Sequence, residues 1–309
     1  MGGKIVILGV FMADTAYRAD RMPRIGETIH GKGFALGPGG KGSNQAVAAA
    51  MAGGEVHFLT RLGRDAFAEM AHSTWARAGV RSEAIEDGES HTGAAFIFID
   101  DASGDNAIII SPGAAGRISP ADIDTRASLI AGAAVFVTQL EQPMPAAEHA
   151  LRIARRGGAR TVLNPAPAAP LEEGLLRLCD FITPNESEAE SITGIAVTGP
   201  DDARRAARHL CALGVGAAVI TLGAQGVLYH DAAQTVHIPA YRAGPVVETT
   251  GAGDAFNGGF AAALARGDDP VAAVRFGSAT AGISVTRPGT APSMPSLAEI
   301  ETLLARQPV

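Results

Sequence analysis

Cysteine is nearly absent: the 309 residues hold only Cys179 and Cys211. Two thiols exclude a disulfide framework, and their apolar neighbours mark them as core-packing groups in a reducing compartment. Aromatic residues are scarce at 5%, too few for the stacking platforms of single-strand nucleic-acid binders. The chain has no run of Lys or Arg and a net charge of −7, so it lacks the electrostatic footprint of a nucleic-acid partner. No apolar stretch approaches the length of a membrane span. The apolar start, Met1 to Val10, is short and is followed by Asp14 and Arg18 without a clear cleavage site, which disfavours a secretory signal. These absences lead to the expectation of a cytoplasmic protein whose partners include neither nucleic acid nor membrane. What is present is 47% hydrophobic residues, 38 Gly and 18 Pro, the composition of a turn-rich globular enzyme with a sizeable core.

Apolar strand-like runs alternate with amphipathic helical ones. The runs Lys4–Phe11, Val56–Thr60, Ala134–Leu140, Thr161–Leu163, Phe181–Thr183 and Ala217–Leu222 read as strands. Ser43–Ala52, Asp65–Ala78, Pro145–Arg156 and Asp201–Leu213 read as helices, and the chain after Ala255 is mostly helical. This alternation predicts an α/β fold, a mainly parallel sheet sandwiched by helices. Two stretches, Glu27–Leu36 and Gly93–Ile110, alternate in the strand manner with no helix between. They predict a small β-sheet lid formed by insertions at about 12–40 and 93–111, on a single domain spanning 1–309. The Asp100–Asp101 pair in the second stretch reads as a solvated hairpin tip rather than a metal site.

Thr249-Thr250-Gly251-Ala252-Gly253-Asp254-Ala255-Phe256 is the most informative segment. Small residues at a helix start leave backbone N–H groups bare, and the dipole there favours an anion. Asp254 beside it has the chemistry to take a proton from an attacking hydroxyl while those amides hold charge on a transferring phosphoryl group. The plainer alternative is that Asp254 only caps the helix. A second Gly-rich turn, Gly37-Pro38-Gly39-Gly40-Lys41-Gly42-Ser43-Asn44-Gln45, precedes another helix. Gly37, Gly39 and Gly42 match G-x-G-x-x-G, yet the turn follows the lid-like strands rather than the first core strand. It is not a Walker A loop either, since Gly42 follows Lys41. Lys41, Asn44 and Gln45 instead supply donors and acceptors for a small polyhydroxylated molecule. In Thr183-Pro184-Asn185-Glu186-Ser187-Glu188, Asn185 and Glu188 share a helical face and offer hard oxygens to Mg²⁺, or else form a cap. Glycines in Thr221-Leu222-Gly223-Ala224-Gln225-Gly226, after an apolar strand, can admit phosphates.

Together and in this order, these clusters resemble the ribokinase-type (PfkB) carbohydrate kinases over nearly the whole chain. Gly39–Ala46 is similar to that family's N-terminal signature and Thr250–Phe256 to its C-terminal one. Gln139-Leu140-Glu141, Leu163-Asn164-Pro165-Ala166-Pro167, Thr183–Glu186 and Val285-Thr286-Arg287 resemble its ribokinase branch. The resemblance implies a ribokinase-like fold and an ATP-dependent kinase acting on the 5-hydroxyl of a pentose. It makes Asp254 the base and the amides of Gly251, Ala252, Gly253 and Asp254 the anion hole. Met12, Asp14, Gly40, Lys41, Asn44, Glu141 and Asp254 then line the sugar site. Asn185, Thr221, Gly223, Gly226, Gly253 and Ser278 surround ATP, with Asn185 and Glu188 organising Mg²⁺. Glu248, Thr250, Ser284, Arg287, Gly289 and Ser293 match the family's site for a monovalent cation, K⁺. Pairing of the lids into a homodimer is also implied.

Two departures stand out. Glu248 replaces the Asp usual in ribokinases, which keeps the charge and changes the reach. Met12 stands where ribokinases carry an Asn that helps bind the sugar hydroxyls, and deoxyribokinases resemble this chain in having Met there. A thioether donates no hydrogen bond, but an apolar contact rejects an extra hydroxyl by only ~10²-fold. The expected substrate is therefore D-ribose, with 2-deoxy-D-ribose as the alternative. Further alternatives are a nucleoside or hexose kinase, a dinucleotide-dependent oxidoreductase built on the Gly37–Gly42 turn, and a silent sugar sensor.

Overall fold

From Ile5 onward the strand Lys4–Leu8 is apolar, and Ile5, Val6, Ile7 and Leu8 are all fully buried. A parallel strand covered on both faces needs such a continuous run. The computed structural model, which describes residues 2–307, sets this strand inside a nine-stranded sheet. The order across the sheet is Thr235–Ile238, Val227–His230, Ala217–Thr221, Phe181–Ile182, Arg160–Leu163, Val135–Thr138, Lys4–Leu8, Glu55–Leu59 and Arg81–Ser82. All pairs are parallel except at one edge, where Val227–His230 runs antiparallel to both Ala217–Thr221 and Thr235–Ile238.

Alternation along each strand feeds two cores. Ile5, Ile7, Val135, Val137 and Val219 enter one, and Val6, Leu8, Phe136 and Ile220 enter the other. Helices Lys41–Met51, Ala66–Ala78, Ala252–Arg266 and Pro270–Ser284 cover the first face, and Met144–Arg156 and Pro200–Ala212 the second. The predicted sandwich of helices about a mainly parallel sheet is therefore the observed fold. Trp75, the only tryptophan, is fully buried edge-on to Phe11 and Phe58 and donates through Nε1 to Ser43 Oγ at 2.9 Å.

A second sheet of four strands has the order Gly33–Gly39, Met12–Ala19, Ala94–Asp100 and Asn106–Ser111. The reading of Glu27–Leu36 as strand is corrected: pairing starts only at Gly33. Glu27 is instead drawn into a turn, its carboxylate accepting from the Arg24 N–H at 2.9 Å and from Arg21 Nη1 at 2.6 Å. The strand Met12–Ala19 carries too little β-branched character to stand out, and it forms because it is paired on both sides. Asp100 and Asp101 do close a hairpin tip. Asp100 Oδ1 accepts from the N–H groups of Ala102 and Ser103, and Asp101 pairs with Lys32 at 2.9 Å.

The chain leaves Lys4–Leu8 for its neighbour Glu55–Leu59 and only later returns to Val135–Thr138 on the other side. The strand order reverses at that point, and the crevice beyond the carboxyl ends of such strands is where open α/β sheets bind ligands.

Candidate active site

The residues singled out by sequence gather at those carboxyl ends. Met12 and Asp14 follow the first strand into the second sheet, Glu141 follows Val135–Thr138, Asn185 follows Phe181–Ile182, and Thr221 ends Ala217–Thr221. Gly40, at φ 86°, turns the end of Gly33–Gly39 directly into the helix that begins at Lys41, two residues before the predicted start at Ser43.

The helix Ala252–Arg266 starts three residues earlier than predicted. Its N-cap is Gly251, in the left-handed region at φ 79°, and no side chain caps it. Asp254 therefore lies inside the first turn and is not the cap, so the plainer reading of this residue is corrected. The uncapped N–H groups keep their capacity for an anion. A Cβ placed on Gly253 would meet nothing within 4 Å, so the helix start is open at the residue preceding Asp254.

Asp254 is buried, 6% exposed. Asn44 Nδ2 donates to its Oδ2 at 3.0 Å and Gln45 Nε2 to its Oδ1 at 3.1 Å. Burial raises its pKa, and the Lys41 charge and those two amide hydrogen bonds oppose the rise. Glu141 accepts from the Lys41 N–H at 2.8 Å. Burial pushes its carboxyl up to about 7, against the Lys41 charge. Burial likewise pushes Asp14 up to about 6. Asn44 Oδ1 is buried without a partner, an acceptor left free to take a ligand's hydroxyl. Met12 is 5% exposed and packs in the second core with Leu8 and Val10.

Asn185 and Glu188 form a capping box. Asn185 Oδ1 accepts from the Glu188 N–H at 2.8 Å, and Glu188 Oε2 accepts from the Asn185 N–H at 2.9 Å. The cap and the site are not exclusive, because Glu188 is buried within electrostatic reach of Lys41 and Asp254. Thr221 donates its N–H to the Pro184 carbonyl at 3.0 Å, which brings these two strand ends together. Gly223 has open space where a Cβ would be, whereas a Cβ on Gly226 would sit 2.0 Å from the Ile238 carbonyl oxygen. Gly226 thus has a structural reason of its own. Ser278 is buried on the helix Pro270–Ser284.

The proposed cation-site residues come from two adjoining segments. Glu248 Oε2 accepts from the Gly289 N–H at 2.8 Å, and the Val247 N–H donates to the Val285 carbonyl at 2.8 Å. Ser284 and Ser293 are buried and donate to the Ala281 and Thr290 carbonyls. Thr250 is exposed, and the Arg287 side chain is committed to Glu299 on the last helix. Thr290 Oγ1 reaches the Pro38 carbonyl at 2.9 Å, tying this region to the second sheet. Sequence reasoning gave no role to Gln139, Asn164, Thr183 or Asn257, all buried beside the site. For the first three the available signal was a polar side chain at an apolar strand end, and for Asn257 a polar residue in a helix of small apolar ones, where burial demands partners.

The chain belongs to the pfkB family of carbohydrate kinases, whose model matches residues 3–297; it is thus a phosphotransferase, and the oxidoreductase reading of the Gly37–Gly42 turn falls. Within that family it is closely related to ribokinases and deoxyribokinases. It is 37% identical to a ribokinase of Haemophilus influenzae, over 96% of both chains. It is also 37% identical to a deoxyribokinase of Salmonella typhi, over 97% of this chain and 98% of that one. A solved Arabidopsis thaliana ribokinase, complexed with ribose and ATP, superposes with a TM-score of 0.92 at 28% identity, covering 98% and 99% of the two chains. The ribokinase of Thermotoga maritima superposes at 0.88 with 33% identity, covering 97% and 99%. No described helix is long and apolar enough to cross a membrane.

Proposed function

We propose that this chain transfers the γ-phosphoryl group of ATP to the 5-hydroxyl of a pentose, D-ribose first and 2-deoxy-D-ribose as the second reading. The observation that carries the proposal is Asp254: a buried carboxylate, both oxygens held by amides, in the first turn of an uncapped helix that is open at Gly253. The relatives named ribokinase and deoxyribokinase, at equal identity, support the substrate class. The second reading draws its support from Met12.

In this reading Asp254 takes the proton of the sugar's 5-hydroxyl as its oxygen attacks the γ-phosphorus. The N–H groups of Gly251, Ala252, Gly253 and Asp254 hold the charge that builds on the transferring group. Asp14, Glu141 and Asn44 accept sugar hydroxyls, Lys41 and the Gly40 turn close the pocket, and Met12 lies near the 2-position. Asn185, Thr221, Gly223, Gly226 and Ser278 surround the nucleotide. Asn185 and Glu188 would hold Mg²⁺ directly or through water. Among the described residues no three His, Cys, Asp or Glu are placed to hold a metal ion, so such an ion would take its remaining ligands from phosphate and water, as Mg²⁺ commonly does. Bound there, Mg²⁺ would neutralise charge on the phosphate oxygens. Glu248, Thr250, Ser284, Arg287, Gly289 and Ser293 would hold K⁺, for which hard oxygens are suited. The four-stranded sheet acts as the lid of a single-domain enzyme. Its exposed Tyr17, Phe34, Leu36 and Ile109 support a homodimer formed through the lids.

Asp254→Asn tests the assignment. Turnover should fall by at least about 10²–10⁴-fold, with sugar binding by calorimetry largely intact. Retained turnover removes Asp254 from the role of base.

A further inference from the structure

Beneath Asp254 runs a buried row of carboxamides that the roles above leave unused. Gln45 is fully buried and donates through Nε2 to Asp254 Oδ1 at 3.1 Å and to Asn164 Oδ1 at 3.0 Å. Its Oε1 accepts from Gln139 Nε2 at 2.6 Å. Asn164 Nδ2 donates to the Thr183 carbonyl at 3.2 Å. A backbone carbonyl only accepts, so Thr183 fixes the sense of the whole row. Asn164 must turn its oxygen to Gln45, which then directs one amide hydrogen to Asn164 and the other to Asp254. Gln139 is confined as well, since a Cβ on Gly9 would lie 2.4 Å from its Oε1 and one on Gly42 3.0 Å. The row continues from Thr183 Oγ1 to Asn257 Oδ1 at 2.6 Å and from Asn257 Nδ2 to the Gly253 carbonyl at 2.8 Å. It thereby touches the carboxylate and the helix start that carries the anion site.

We propose that Gln45 is a positioning residue for phosphoryl transfer, its carboxamide aimed by Gln139 and Asn164 so that it holds the Asp254 carboxylate in the orientation that takes the hydroxyl proton. The inference rests on Asp254 being the base. Gln139 makes no contact with the reacting groups in that reading and acts only through Gln45. The charged and titratable groups facing the Asp254 region are Lys41 on the Gln45 helix, Glu141 after its strand, Glu188 on the capping-box helix and Asp14 on the lid. All of them remain when neutral Gln139 is replaced.

The test compares Gln139→Met, Gln45→Met and the double variant, with ATP, Mg²⁺ and each pentose across pH. Gln139→Met should lower kcat about tenfold with the sugar KM within about twofold, and should move the acid limb of kcat to higher pH, because a donor to the ionised carboxylate is loosened. Gln45→Met should do the same more strongly, and the double variant should be no worse than Gln45→Met alone. A merely structural role gives additive losses and an unmoved limb, and either result overturns the proposal. Should Gln139→Met not fold, Asn164→Leu acts on the same carboxamide from its other side and is read the same way. Asp254→Asn separates the two levels. If it retains turnover, the base assignment fails; if it is inactive while Gln139→Met matches the wild type, only the positioning role fails.

Discussion

At position 12, which the resemblance matches to an amide of ribokinases, stands a thioether, and the residue is packed rather than loose. A Cβ on Gly93 would lie 2.6 Å from Met12 Sδ, and Met12 pairs in register with Gly39 at the end of its strand. Its side chain therefore offers shape without a donor. Met12→Asn should raise kcat/KM for D-ribose relative to 2-deoxy-D-ribose by about tenfold, the scale of one added hydrogen bond. Side-by-side kinetics with both sugars check this, and an unchanged ratio would place the 2-hydroxyl elsewhere. The identity of Met12 was plain in the sequence. Its packing was not, because Gly93 and Gly39 reach it only through sheet pairing at long range. The same holds for Gln45, whose chemistry was visible as a donor and acceptor while its partners lie 94 to 209 residues away in the chain.

Among elements, the buried parallel strands and the helices between them were legible because burial on both faces writes continuous apolar runs. The antiparallel hairpin Val227–Ile238 and the strand Met12–Ala19 were not, since neither has a pattern that stands apart from its loops. Helix starts were misjudged at Lys41 and Ala252 for one physical reason: glycine caps carry no side-chain signal, unlike Asn185, whose capping box was readable. Gly251 holds φ 79° at the uncapped start of its helix, with the Thr290 side chain 3.3 Å from where a Cβ would be. Gly251→Ala should cost about 1–2 kcal/mol of stability, the penalty of a left-handed L-residue. It should also lower kcat more than it raises the sugar KM, because the amides it tilts matter most in the transition state. Denaturant midpoints and steady-state kinetics on the same variant check both parts. Loss of stability without loss of kcat would dissociate this turn from phosphoryl transfer.

For the whole molecule, the carboxylates gathered beside the second sheet couple folding to pH. Glu141 has an ordinary value of 4.5 and is pushed up to about 7 by burial. Between those limits the folded chain keeps a proton that the unfolded chain has lost. This group's contribution is therefore most favourable below 4.5 and declines as pH rises toward about 7, by at most about 3 kcal/mol. Asp14 acts in the same direction between 3.8 and about 6. Glu141→Gln should accordingly flatten the pH profile of stability of the ligand-free chain, being less stabilising at the acid end and more so near neutrality. Denaturant midpoints for both chains across that range measure it, and parallel profiles would contradict it. Sugar hydroxyls that donate to these carboxylates favour their charged forms. Sugar binding near about pH 6.5 should thus release protons, seen in calorimetry as a heat that depends on the buffer's ionisation enthalpy. Proton uptake, or no dependence on buffer, would mean that the sugar does not engage Glu141 and Asp14. Release in the wild type that is diminished in Glu141→Gln would assign the coupling to the pocket itself, where half-buried Asp14 and Glu141 lie with buried Asp254 and the charge of Lys41.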